Sequence, residues 1–291
     1  MKKGPRVLIT GSKGFVGKHL VTALKKKSYS IFEFDMDEGD VANVDFCLHF
    51  TGIDHVIHLA AKTFVPESWK NPYSYYHTNF MGTLNILEFC KRQACSLTFL
   101  NTYTYGVPRY LPIDENHIIK PNTPYNSSKM FAENLCEFYY ENMGVDITVL
   151  RVFNVFGPRQ KNEFLLPEII NQALDSDKET IEVNDLKPKR DYLYIEDLLL
   201  AIEKTIEKTK GYNVYNIGSG CSYSVGEIVD LVQDYIGVHK KVVSKEIIRK
   251  NEIEDVYADI SNAKKRLGFS PSHSIEEGIA LTVEAMINSE D

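Results

Sequence analysis

A tyrosine and a lysine four residues apart, Tyr125 and Lys129 in 125-YNSSK-129, open the case for chemistry in this chain. On a helix, positions i and i+4 share a face. A lysine ammonium beside a phenol favours the phenolate, so the spacing predicts Tyr125 as a general base with Lys129 depressing its pKa. A second group is the glycine triplet Gly11, Gly14 and Gly17 in 10-TGSKGFVG-17. It lies between an apolar run, 6-RVLIT-10, and a stretch with apolar residues at helical spacing. A tight turn at Gly11 aims backbone N–H groups and a helix N-terminus at a pyrophosphate, and Gly17 lets helix and strand approach closely. Asp35 ends the next apolar run, 30-SIFEF-34, where a carboxylate accepts hydrogen bonds from ribose hydroxyls and favours NAD over NADP. The triplet is not a Walker loop, because five residues separate Gly11 from Gly17 and His19 stands where a magnesium-holding hydroxyl belongs. Thr102, at the end of 97-LTFLN-101, sits where strand ends face a ligand crevice, and its hydroxyl is placed to bond a reacting oxygen.

These residues need a scaffold of alternating strands and helices. The apolar runs 6–10, 30–34, 55–60, 97–101 and 147–151 read as buried strands, and helical spacing runs through 15–27, 75–93 and 125–143. That alternation predicts an α/β fold, a Rossmann-type doubly wound parallel sheet with helices on both faces. Beyond Gly157-Pro158 the pattern changes. Helices are expected at 163–176, 195–208, 224–236 and 274–288, with short strands near 180–183, 192–194, 214–217 and 242–244. The expected division is 1–155 for a dinucleotide-binding domain and 156–291 for a smaller α/β substrate lobe. A segment near 190–217 is expected to return to the first part, and the site falls in the cleft between the two.

Composition excludes several classes. With 291 residues, the chain is long enough for about two domains. Its 43% hydrophobic and 25% charged content is that of a globular protein rather than a disordered one. A net charge of −7 argues against a nucleic-acid partner, and no apolar run approaches the roughly 20 residues of a membrane helix. The N-terminus has no signal-peptide pattern. Five scattered cysteines without a C-x-x-C pair read as buried thiols in a reducing cytoplasm. His55 and His58 point to opposite faces of their strand and have no third partner, so no metal site is expected.

The chain resembles the extended short-chain dehydrogenase/reductase family, in its NAD-dependent nucleotide-sugar epimerase/dehydratase group. The resemblance covers nearly the whole length. It rests on TGSKGFVG, 54-DHVIHLAA-61, Asn79 and Gly82-Thr83 in 79-NFMGTLNILE-88, the PYNSSK run and 151-RVFNVFGPRQ-160. It continues through 190-RDYLYIED-197, 216-NIGSG-220 and 258-ADISNAKKRLGFSP-271. The resemblance implies that Thr102, Tyr125 and Lys129 are catalytic. It implies that Phe15, Val16, Asp40, Val41, Leu59, Ala60, Ala61, Asn79 and Phe153 line the NAD site. Asn154, Arg190 and Arg249 would hold the diphosphate of a nucleoside-diphosphate sugar, with Glu252 on its ribose, and two arginine forks suit that dianion.

Departures from the family narrow the expectation. The run before Tyr105-Gly106 is one residue shorter than usual. Tyr103 and Thr104 stand where 4,6-dehydratases carry Asp-Glu, and the decarboxylase glutamate is also missing, so both activities lose weight. The segment from Asp35 to Asp40 is short, as in some sugar 4-ketoreductases. What remains is an NAD-dependent 4-epimerase working through a 4-keto sugar, with an NAD(P)H-dependent 4-ketoreductase as the alternative. A non-catalytic NAD-binding scaffold is the minor alternative. The apolar stripes of 75–93 and 125–143 imply a homodimer.

Overall fold

A computed structural model describes residues 4–43, 50–247 and 252–288. The five apolar runs of the first half form β1 (Arg6–Thr10), β2 (Ser30–Phe34), β3 (His55–His58), β4 (Ser96–Thr102) and β5 (Ile147–Val152). With β10 (Tyr212–Ile217) they make a six-stranded sheet in the order β10-β5-β4-β3-β1-β2, in which every pairing is parallel. The expected doubly wound α/β architecture is thus present. Side chains alternate between its faces. Leu8, Val56, Leu97, Phe99, Ile147 and Val149 face α4 (Gly82–Gln93) and α5 (Pro124–Met143), whereas Val7, Ile9, Ile57, Leu150 and Val152 face α1 (Phe15–Lys25) and α7 (Ile195–Lys208).

Local chemistry sets the helix ends that matter for the site. Helix α5 begins at Thr123, whose side chain accepts from the Asn126 N–H, with Pro124 in its first turn, and ends at Gly144 at φ 71°. That start places Tyr125 in the first turn, level with the end of β4. The run read as one helix over 75–93 is divided instead. Short α2 (Val65–Lys70) and α3 (Pro72–Tyr76) lead into a π-helical turn at His77–Met81 and then α4. The π turn carries Asn79.

The second half contributes α6 (Leu165–Leu174), α8 (Val225–Ile236) and α9 (Ile275–Ile287), and a parallel pair of β7 (Thr180–Val183) with β12 (Lys241–Ser244). Both α8 and α9 start in a capping box, Ser224 with Glu227 and Ser274 with Glu277. Very short strands bring distant segments to the sheet's C-terminal end. β6 (Asn154–Phe156) pairs with β9 (Tyr192–Tyr194), and β8 (Lys189–Arg190) lies between β11 (Tyr223–Ser224) and β13 (Asp255–Val256). The apolar interior is continuous from β1 and α1 into α6, α7, α8 and α9.

Candidate active site

The glycine loop is built for a close approach. Gly11 sits at φ 71°, where a Cβ would come within 2.7 Å of the Ala60 nitrogen. A Cβ on Gly17 would meet the Gly11 carbonyl oxygen at 2.1 Å. Gly14 begins α1 with no side-chain cap, which leaves the first N–H groups of the helix to an outside partner. Phe15 and Val16 form that first turn and pack on the core. The Ser12 hydroxyl is buried in the same loop without a hydrogen-bond partner. An uncapped helix start, a glycine cradle and an orphaned hydroxyl together fit a dinucleotide pyrophosphate.

The residues expected on the adenosine side are also held in place. Asp35 follows β2, and its carboxylate accepts from the Lys13 N–H at 2.7 Å and the Met36 N–H at 2.8 Å. Lys13 itself turns its ammonium to Asp37 at 2.8 Å and Glu38 at 3.0 Å. Asp40 accepts from the Ala42 N–H, Val41 is buried, and the Val41 carbonyl takes a bond from Asn85. Leu59, Ala60 and Ala61 lie beyond β3, which ends at His58, and the Leu59 N–H is tied to the Thr10 carbonyl. Asn79 differs from a simple contact residue. Its carboxamide accepts from the Lys62 N–H and donates to the Lys62 carbonyl and to the Ser128 hydroxyl, so it locks the loop after Ala61 onto α5.

Thr102, Tyr125 and Lys129 converge at the end of β4. The Thr102 hydroxyl lies beside the Tyr125 phenol. Burial pushes that phenol above its usual range, and the neighbouring Thr102 hydroxyl pulls the other way. This corrects the expectation that Lys129 depresses Tyr125: the Lys129 ammonium donates to the Leu100 carbonyl at 2.7 Å and lies 4.1 Å from the centre of the Phe99 ring. Burial lowers Lys129 to about 7. His58 stacks on Phe99, is hydrogen-bonded to Thr10 and Thr83, and is held neutral by burial at about 3. His55, on the other face, bonds Ser96 and Thr98. No cluster of metal-ligating side chains exists among the described residues.

A buried network supports this corner. Glu133, one turn beyond Lys129, is paired with Arg151, and both side chains are 6% exposed. Asn101 donates to Glu133 and accepts from the Thr102 N–H at 2.8 Å. Arg151 reaches the Tyr105 hydroxyl, which donates to Asn216. The position of Thr102 is thereby coupled to α5, β5 and β10. The pairing of Glu133 with Arg151, 18 positions apart, left no spacing signal in the sequence.

Beside this corner, Phe153 and Asn154 follow β5. The Asn154 carboxamide donates to the Asp191 carbonyl. Arg190 is 17% exposed, and its guanidinium is paired with Glu252 while also donating to the Ile253 carbonyl. Arg249 lies outside the described residues. Asp191 was not singled out from sequence. It is fully buried, and its carboxylate gathers N–H groups of Ser219, Gly220 and Ala258, which fixes the 216–220 loop against the end of β9. Tyr103 was noted only as a departure; its ring stacks on Phe153 with centroids 4.8 Å apart. Three cysteines, Cys90, Cys95 and Cys136, are buried and free, but Cys221 is exposed, against the expectation of burial, and Cys47 lies outside the described residues.

Comparison with known proteins agrees with this fold. Residues 7–218 match the model of the NAD dependent epimerase/dehydratase family. The chain is similar to a putative UDP-glucose 4-epimerase of Methanocaldococcus jannaschii, at 30% identity over 97% of this chain and 99% of that protein. It is 30% identical to a GDP-6-deoxy-D-mannose reductase of Pseudomonas aeruginosa, over 94% of each. Among solved structures, the UDP-glucose 4-epimerase of Thermotoga maritima with UDP-glucose superposes with a TM-score of 0.92 at 28% identity, covering 98% of this chain and all of that one.

Proposed function

The chain belongs to the NAD dependent epimerase/dehydratase family, and on that premise we propose that it is an NAD-dependent nucleotide-sugar 4-epimerase. The observation that carries this reading is the juxtaposition of Thr102 and Tyr125, with Lys129 one turn along α5, at the sheet end that also holds the glycine loop. Bound NAD would supply a reversible hydride acceptor for the sugar's C4. Tyr125, as the phenolate that the positive ring of bound NAD would favour, takes the proton of the C4 hydroxyl and returns it from the same position. Thr102 holds the oxygen beside that phenol. Lys129 is placed to leave Leu100 for the nicotinamide ribose. Asn154, Arg190 and Arg249 keep the diphosphate fixed, with Glu252 at the substrate ribose, while the 4-keto sugar turns to expose its other face. Such an unreacting anchor is how remote binding energy serves a sugar that must reorient.

A 4-ketoreductase is the second reading, favoured by the equal identity to the P. aeruginosa reductase. Purified protein is denatured and its released cofactor identified, alongside an assay of UDP-glucose, GDP-mannose and dTDP-glucose without added cofactor. Retained NAD with equilibration of C4 epimers supports the epimerase. Protein isolated empty that oxidises NADH or NADPH only in the presence of a 4-keto sugar supports the reductase. We further propose a homodimer in the cytoplasm, joined through α4 and α5; no helix among the described residues is long and apolar enough to cross a membrane.

A further inference from the structure

Tyr103 leaves β4 one residue past Thr102, and its ring lies nearly parallel to that of Phe153, the planes 19° apart. Strands β4 and β5 are neighbours, with Thr102 opposite Val152, so the two rings form one aromatic step at the C-terminal end of the sheet. Behind the step lies an apolar cluster that includes Tyr105, Ile113, Val256 and Ile260. Stacking fixes the plane of the Tyr103 ring and leaves its hydroxyl as the free variable.

That hydroxyl stands between two ends of the cleft. On one side it is 3.4 Å from the Asn154 carboxamide oxygen. On the other, Tyr103 directly follows Thr102, the residue beside the Tyr125 phenol. A separation of 3.4 Å is long for an O–H···O bond, so the contact with Asn154 is weak and open to a better partner.

We propose that Tyr103 is a sugar-recognition residue whose hydroxyl bonds the hexose of the substrate between its reacting carbon and its diphosphate. The inference rests on the nucleotide-sugar reading. In a nucleoside-diphosphate hexose the pyranose ring separates the C4 hydroxyl from the diphosphate at C1. With C4 at Tyr125 and the diphosphate toward Asn154, that ring has to pass Tyr103. A phenol both donates and accepts and is uncharged, which suits a sugar hydroxyl or ring oxygen rather than a phosphate.

The test is calorimetric titration of the parent protein, Tyr103→Phe and Tyr103→Ala. The ligands are UDP-glucose, GDP-mannose and dTDP-glucose, each against its own nucleoside diphosphate, and NAD. Tyr103→Phe keeps the stacked ring and removes only the hydroxyl. It is expected to weaken the best-bound nucleotide sugar about 3- to 10-fold while the nucleoside diphosphate and NAD stay within about twofold of the parent. Tyr103→Ala should lose more on the same ligand. Unchanged sugar-nucleotide binding in Tyr103→Phe, or an equal loss on the nucleoside diphosphate, overturns the inference alone. A parent that binds NAD but none of the nucleotide sugars overturns the nucleotide-sugar reading and the role of Tyr103 with it.

Discussion

The guanidinium of Arg190 closes on the carboxylate of Glu252, and its NH1 nitrogen is already spent on the carbonyls of Lys189 and Ile253. The arginine is therefore held in one orientation before any ligand arrives, with a carboxylate at its side. Arg190→Ala is expected to weaken binding of a nucleoside diphosphate by roughly 10- to 150-fold, the worth of one charge-assisted hydrogen bond. Glu252→Gln removes the charged acceptor proposed for the substrate ribose but also the negative charge beside the arginine, so the same ligand should lose less than in Arg190→Ala. Titration of both variants with UDP, GDP and dTDP compares the two losses; a larger loss in Glu252→Gln than in Arg190→Ala would refute the assignment of Arg190.

Loss of the Tyr125 hydroxyl removes the proton acceptor but keeps the ring that meets Tyr75 edge-on at 6.4 Å. Turnover of Tyr125→Phe should fall about 100-fold or more with little change in substrate affinity. Single-turnover rates measured at saturating substrate separate the two quantities. A near-normal rate would assign the proton to another group.

Lys129 gives a pH signature. Burial lowers it to about 7 from its ordinary value of 10.5. Between about pH 7 and 10 the folded chain has released this proton and the unfolded chain still holds it, so stability should rise with pH across that window. Below about pH 7 the ammonium is charged in both states and its burial costs the fold in full. Lys129→Met should flatten the rise. Urea melts of the cofactor-free protein at pH 6.5, 8 and 9.5 would show it, and an identical slope in both proteins would contradict it.

Asp35 should decide between the dinucleotides. Its carboxylate is held by the Lys13 and Met36 N–H groups, and at the adenosine ribose proposed for it a 2′-phosphate would meet it as a like charge. NAD is expected to bind more tightly than NADP, and Asp35→Ala should narrow the gap mainly by weakening NAD. Fluorescence titration with both dinucleotides measures this; tighter NADP binding by the parent would reverse the assignment.

Helix α5 leaves Phe131 and Phe138 exposed at 44% and 49%, and Met81 just before α4 is also exposed. Apolar side chains on adjacent helices of one sheet face are what a second copy would cover. Sedimentation at micromolar concentration should return twice the chain mass, and Phe131→Glu with Phe138→Glu should return a single chain. A parent protein that already sediments as a monomer would refute the dimer.

The parallel sheet was legible because its strands are short apolar runs ended by turn residues, with side chains that serve both faces. The pairings β8, β11 and β13 were not, since two residues carry no period. The division of 75–93 escaped for a related reason: a π turn inserts one residue into an otherwise helical pattern. At the site, Tyr125 and Lys129 announce themselves by spacing along one helix. The stacking of Tyr103 on Phe153 and the closing of Arg190 on Glu252 join residues 50 and 62 positions apart and depend on how β4, β5 and β8 are brought together. The pKa of Tyr125 was misjudged because charge was weighed without desolvation, a quantity that only the packed interior defines.

The interior that runs from Val7 and Leu20 through Ile169, Ile202 and Val229 to Ile279 is one body of side chains. Walls that share such a body cannot swing apart like the covers of a book. Entry and exit of a ligand would then fall to loops at the rim rather than to a hinge between two bodies. A fragment cut near residue 155 would lose β10 from the sheet's edge and α7 from one of its faces, with α1 alone left on that side, which ties the fate of the first half of the chain to the synthesis of the second.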